Sequence, residues 1–107
     1  MIVYKKPDEI AVVFEIKDFE STNEKLKKNL LRIVQMSENI NITLDLQKIQ
    51  DLSVSTFSLF ASFLYSLKNK DNEIKILAEQ EIMNGLKQIG IGKLLKSMEV
   101  NDNGIGS

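Results

Sequence analysis

Apolar residues recur along this chain with two different periods, and the switches between them mark out its elements. From Glu9 to Ile16, the residues Ile10, Val12, Phe14 and Ile16 alternate with Ala11, Val13 and Glu15. Period two with β-branched residues predicts a strand, because successive side chains leave opposite faces of the pleat. Ala11 and Val13 are apolar as well, so the strand is expected inside a sheet with both faces covered. Ile2-Val3-Tyr4 is a candidate short strand before it, and Pro7 places a turn near residues 6 to 9. After a polar connection over 17–21, Leu26, Leu30, Ile33 and Val34 recur at helical spacing, with Lys25, Lys28 and Arg32 mostly elsewhere on the wheel. Ser21, Thr22 and Asn23 all suit the N-cap and Glu24 puts acid in the first turn, which predicts an amphipathic helix ending near Met36.

Asn39-Ile40-Asn41 breaks that pattern. Ile42, Leu44 and Leu46 then alternate with Thr43 and Asp45, predicting a further strand. A long helix is expected from about Ser53 to Asn69, a turn at Lys70-Asp71-Asn72, and a strand from Glu73 to Ala78. Ile82, Leu86 and Ile89 mark another helix, stopped by Gly90 as a C-terminal cap. Lys93 to Met98 fits one more helical turn. Asn101 to Ser107 is rich in Gly and Asn and is expected to fray. Strands alternating with helices predict an α/β fold around a mostly parallel sheet. At 107 residues the chain has material for one domain, placed at 1–100 with a flexible tail at 101–107.

Composition narrows the chemistry. Fourteen basic residues stand against fifteen acidic ones, so no cationic excess exists to neutralise phosphates, and nucleic acid is not expected as a partner. The local run Lys25, Lys27, Lys28 and Arg32 reads as the solvated face of a helix. The chain has neither Cys nor His, which removes disulfides, thiol chemistry and the commonest general base and metal ligand. No Gly follows a strand in a phosphate-cradling pattern. Asp18 with Glu20 and Asp71 with Glu73 are paired acids in predicted turns. Asp45 sits on a strand where a divalent cation could bind, but no second acid accompanies it. No run approaches the ~20 apolar residues of a membrane span, and Met1 to Lys6 lacks the apolar core of a signal peptide. A cytoplasmic, non-catalytic protein without cofactor or metal is the expectation.

The informative stretch is Leu52 to Leu67, which holds no charged residue. On a helix, Val54, Phe57, Phe60, Ala61, Leu64 and Leu67 form a core-facing stripe, while Ser58, Leu59, Ser62, Phe63 and Ser66 point away from it. The outer face of a surface helix is normally charged, and a small, hydroxylated, apolar face suits contact with another protein. Neighbouring helices of the same domain would be the alternative cover. Ser53, Ser55, Thr56, Ser58, Leu59, Ser62 and Phe63 are therefore the expected partner-binding residues. Ser53 and Ser55 sit where the chain enters the helix, as N-caps or as candidate phosphoacceptors.

The segment Asn41-Ile42-Thr43-Leu44-Asp45-Leu46-Gln47-Lys48-Ile49 resembles the central strand of STAS domains, the bacterial anti-sigma factor antagonist family. The segment from Glu81 to Leu95, with Gly90-Ile91 in place of a Gly-Leu step, is similar to that family's closing helix. Element order and spacing agree over about residues 9 to 98. The resemblance implies a four- to five-stranded mixed sheet with helices mainly on one side. It also implies a protein partner, such as a kinase-type anti-sigma factor, bound around the loop and first turns of the long helix. In phosphorylatable members that loop carries Asp-Ser, a small residue and Gly-Leu. Here Ser53 falls on the Asp, Val54 on the phosphoacceptor Ser and Thr56 on the Gly, so only a one-residue shift onto Ser53 or Ser55 would preserve a phosphoswitch. Members without the switch act as constitutive partners or as subunits of larger assemblies, including lipid transporters. The rival class is a small-ligand binder with a pocket at the carboxyl ends of the strands. A homodimer is a further expectation.

Overall fold

The strand Asn41–Leu46 is hydrogen-bonded on both sides, as its alternation predicts, and the sheet is built outward from it. The computed structural model describes residues 1–20, 22–37, 40–68, 73–88 and 99–102. In chain order the elements are β1 (Ile2–Lys5), β2 (Glu9–Val13), α1 (Ile16–Glu20), α2 (Asn23–Met36), β3 (Asn41–Leu46), α3 (Val54–Lys68), β4 (Ile74–Ala78), α4 (Gln80–Leu86) and β5 (Glu99–Asp102). The five strands lie side by side in sequence order. β1 runs antiparallel to β2, and β2, β3, β4 and β5 are mutually parallel. The fold is thus α/β with a mixed sheet, as expected.

Strand order dictates where the helices go. Crossovers between parallel strands are right-handed, so parallel strands taken one after another in a single direction send every connecting helix to the same face. Burial along the strands agrees. Ile10, Val12, Ile42, Leu44, Leu46, Ile74, Ile76 and Ala78 form the buried rows. The alternate residues Ala11, Val13, Thr43, Asp45, Lys75 and Leu77 are only half-buried. The expectation that both faces of β2 are covered therefore fails. Ala11 and Val13 belong to the less covered face, where the row also contains Asp45 and Lys75.

Other boundaries differ from the pattern for identifiable reasons. The polar connection over 17–21 contains a short helix, α1, whose start is fixed when the Glu15 N–H donates to Asp18 Oδ2 at 2.7 Å. Strand β2 accordingly ends at Val13, and Ile16 is 56% exposed instead of joining the buried row. Thr22 supplies the α2 cap, its Oγ1 accepting from the Lys25 N–H at 3.2 Å. The Pro7 turn closes through Lys6 N–H to Glu9 O at 2.8 Å. Asn101 and Asp102, expected in a frayed tail, pair with Leu77 and Ala78 in β5. Ser21, the turn at 70–72, the Gly90 cap and the 93–98 helical turn lie outside the described residues.

Gly85 sets how closely α3 and α4 approach. An added Cβ at this position would lie 2.4 Å from Cζ of Phe57, a residue only 9% exposed. Gly85→Ala is expected to lower stability by about 1–3 kcal/mol through overpacking. Denaturant unfolding checks this, and Phe57→Leu in the same chain should recover part of the loss.

Candidate functional site

The turn after β3 is built by its own polar groups. Asp45 Oδ1 accepts the Gln47 N–H at 2.9 Å, so this carboxylate serves the strand end. Among the described residues no group of three or more acidic side chains is placed to hold a metal ion. The chain then reaches α3 through Ser53. Its Oγ accepts the Thr56 N–H at 3.2 Å and lies 2.8 Å from Thr56 Oγ1 and 3.2 Å from Ser55 Oγ. Ser53 is thus the N-cap that satisfies a backbone donor left free by the helix start. Ser55 is exposed, and Thr56 is 5% exposed with its hydroxyl turned to Ser53.

Side chains on α3 are not distributed as the wheel predicts. Thr56, Phe57, Phe60, Ala61, Phe63, Leu64 and Leu67 are buried, whereas Val54 is 76% exposed. The buried arc is rotated toward α2 relative to the expected stripe. Phe63, expected at the surface, is 4% exposed, with its ring centroid 5.3 Å from that of Phe60. Thr56 and Phe63 therefore leave the partner-facing set and join the core. Val54, assigned to the core stripe, replaces them at the surface. Ser53, Ser55, Ser58 and Ser62 are exposed as expected, and Leu59 is half-buried against the core.

The exposed serines are partly occupied by their own helix. Ser62 Oγ donates to Ser58 O at 3.2 Å, and Ser66 Oγ donates to Ser62 O at 3.1 Å. Such back-bonding satisfies the hydroxyl proton locally and leaves a low, smooth surface. Beside this row, α2 and α3 enclose a groove of about 140 Å³ with Leu30, Leu31, Val34, Leu59 and Phe63 among its walls. It opens toward the helix start, where Asn23, Glu24, Lys27, Ser55 and Ser58 line its continuation. Leu31 is 55% exposed, a position the sequence conceals because it falls beside the Leu26, Leu30, Ile33 stripe. The exposure of Ile16 is concealed in the same way, because it continues the alternation of Ile10, Val12 and Phe14.

At the carboxyl ends of the strands, two depressions flank the loop after β3. One, of about 400 Å³, is lined by Gln50, Glu79, Gln80 and Glu81. The other, of about 210 Å³, is lined by Ile16, Phe19, Glu20 and residues Ile49 to Leu52. Among the described residues neither gathers cationic groups that would hold a phosphate. Among the described residues no helix is long and apolar enough to cross a membrane. Protein-family models, characterised proteins and solved structures give no match to this chain.

Burial assigns Phe63 to stability. Phe63→Ala is expected to cost about 3–5 kcal/mol, as for other large-to-small changes in a core. Ser62→Ala, which removes only a back-bonded hydroxyl, should stay within about 0.5 kcal/mol of the parent. Urea melts of both variants check the contrast.

Proposed function

We propose that this chain is a non-catalytic regulatory domain of the STAS, anti-sigma factor antagonist type, which binds a protein partner through the loop and helix at residues 52–67. The observation that carries this reading is the start of α3. Val54 stands 76% exposed between Ser53 and Ser55, on a helix with no charge before Lys68. An exposed branched apolar side chain ringed by small hydroxyls matches the depletion of charge found at the centre of protein interfaces. Its few apolar anchors would carry most of the binding energy. The surface comprises Ser53, Val54, Ser55, Ser58, Leu59 and Ser62. An anti-sigma factor or kinase-type regulator in the cytoplasm is the partner class the resemblance supplies, with membership of a larger assembly such as a lipid transporter as its variant.

Of the two candidate phosphoacceptors, Ser55 fits better. Its hydroxyl is exposed in the first turn, where the helix dipole favours added negative charge. Ser53 is committed to the cap, and modifying it would disturb the Thr56 N–H bond. Val54→Asp and Ser55→Glu are each expected to leave the melting temperature within about 2 °C of the parent. Each should weaken the partner complex by at least about tenfold, because the new carboxylate must be desolvated or left unpaired. Calorimetry on the complex with the partner isolated from native extract tests this, and wild-type affinity in both variants would refute the surface.

A homodimer has support from a different place. β1 is a sheet edge, and its Ile2, Val3 and Tyr4 are 40%, 36% and 54% exposed. Antiparallel pairing of two copies about Val3 would set Ile2 opposite Tyr4 on the same face, a favourable cross-strand pair. Light scattering at high protein concentration is expected to detect the dimer, and Val3→Pro, which removes a ladder donor, should abolish it.

A further inference from the structure

The loop after β3 and the short helix α1 meet over a depression that lies outside the Val54 surface. Two buried side chains, Ile49 and Leu52, pin that loop, and the Ile49 N–H donates to Leu46 O at 3.0 Å. Gln50 and Asp51 between them are exposed. On α1, Ile16, Phe19 and Glu20 stand at i, i+3 and i+4 and so share one face. Phe19 is held by Phe14 and Phe60, with ring centroids at 5.5 and 6.4 Å. Ile16, Phe19, Ile49 and Leu52 give the depression apolar walls, while the charged residues lining it, Glu20 and Asp51, are both acidic. Neither makes an ion pair among the described residues. Lys17 on α1 pairs with Glu15 at 3.8 Å instead, and Lys48, exposed in the turn after β3, does not line the depression. Past Gln50 the neighbouring depression repeats the sign with Glu79 and Glu81.

We propose that the depression between α1 and the loop receives an arginine side chain of the protein partner; this rests on the protein-binding reading above and adds a second contact beside it. At about 210 Å³ the depression is smaller than the ~300–1,000 Å³ pockets that hold whole small molecules, so a single long side chain suits it better. Apolar walls accept an aliphatic stem while its charged head stays at the rim. A guanidinium is planar, always charged and weakly hydrated, and its fork of donors can serve acceptors from both elements, Glu20 on α1 and Asp51 on the loop. A lysine ammonium is a more strongly hydrated point charge and gains less there. Anionic ligands are repelled, because Glu20, Asp51, Glu79 and Glu81 line the two depressions with no described cation among them.

The test titrates the isotope-labelled full chain with a short peptide of Gly, Leu and Arg, capped at both ends. A twin peptide carries citrulline, uncharged and nearly isosteric, in place of each Arg, and spermidine probes for a free amine. The Arg peptide is expected to shift the amides of Phe19, Glu20, Gln50 and Asp51. It should bind at least about tenfold tighter than its twin and lose about tenfold between ~50 mM and ~500 mM salt. Glu20→Gln combined with Asp51→Asn should bring the twins to equal affinity while the cooperative melting transition is retained. The same pair of changes should weaken the complex with the native partner by about tenfold. Ile16→Lys, at a site 56% exposed, should likewise weaken the Arg peptide without unfolding the domain. Equal affinity of the parent chain for the twins, shifts centred on Glu79 and Glu81 or on another face, or spermidine binding as tightly as the Arg peptide would each overturn the proposal. Val54→Asp separates the two readings. If Val54→Asp keeps the native partner while Glu20→Gln with Asp51→Asn loses it, the proposed surface fails and the arginine site stands. If Val54→Asp loses the partner while Glu20→Gln with Asp51→Asn keeps it, the arginine site alone fails.

Discussion

Single-sided packing is the constraint from which the rest of this structure follows. With β2, β3, β4 and β5 laid down in chain order, one face of the sheet must receive every connecting helix. α3, which joins β3 to β4, becomes the middle helix, with α2 on one flank and α4 on the other. A middle helix is buried below and on both sides, so it needs a wide apolar arc. Thr56, Phe57, Phe60, Ala61, Phe63, Leu64 and Leu67 supply it. Half of the charge-free character of this segment is therefore structural. The other half, on the outward face, is not required by packing and is the part on which the proposed binding role rests.

Aromatic side chains tie the middle helix to the first crossover. Phe14, just past β2, lies 5.5 Å from Phe19 on α1 and 5.8 Å from Phe60 on α3. Phe19 is 6.4 Å from Phe60, and Phe60 is 5.3 Å from Phe63. Offset and edge-on rings at such spacings add to the energy of area burial. On the opposite flank, Gly85 lets α4 press against Phe57. One flank of α3 is thus held by ring contacts and the other by the absence of a side chain, and both fix its rotation about its own axis.

That rotation is what the sequence left unreadable. Strands β2, β3 and β4 were legible because alternation has only two phases, and β-branched residues choose between strand and helix. The phase of α2 was legible from its charges. α3 offers no charge to mark the solvent side, so its wheel has several near-equivalent phases. The phase that spacing alone favours keeps Val54 in the core and releases Phe63. Volume decides the matter physically, since a phenyl ring gains more from burial than a valine at the exposed first turn. α1 was hidden because five residues are too few to show a period, and β5 because Asn101 and Asp102 carry no strand propensity. Its pairing with β4 is a tertiary effect.

The serine row on α3 has a consequence for hydration. Ser62 and Ser66 donate their protons to carbonyls one turn back, so water meets these hydroxyls only as acceptors. With Leu59 between the rows, the shell over this face is held by fewer bonds than a charged helix would impose. Releasing it should cost little enthalpy. Association on this side of the domain should then carry a negative heat-capacity change.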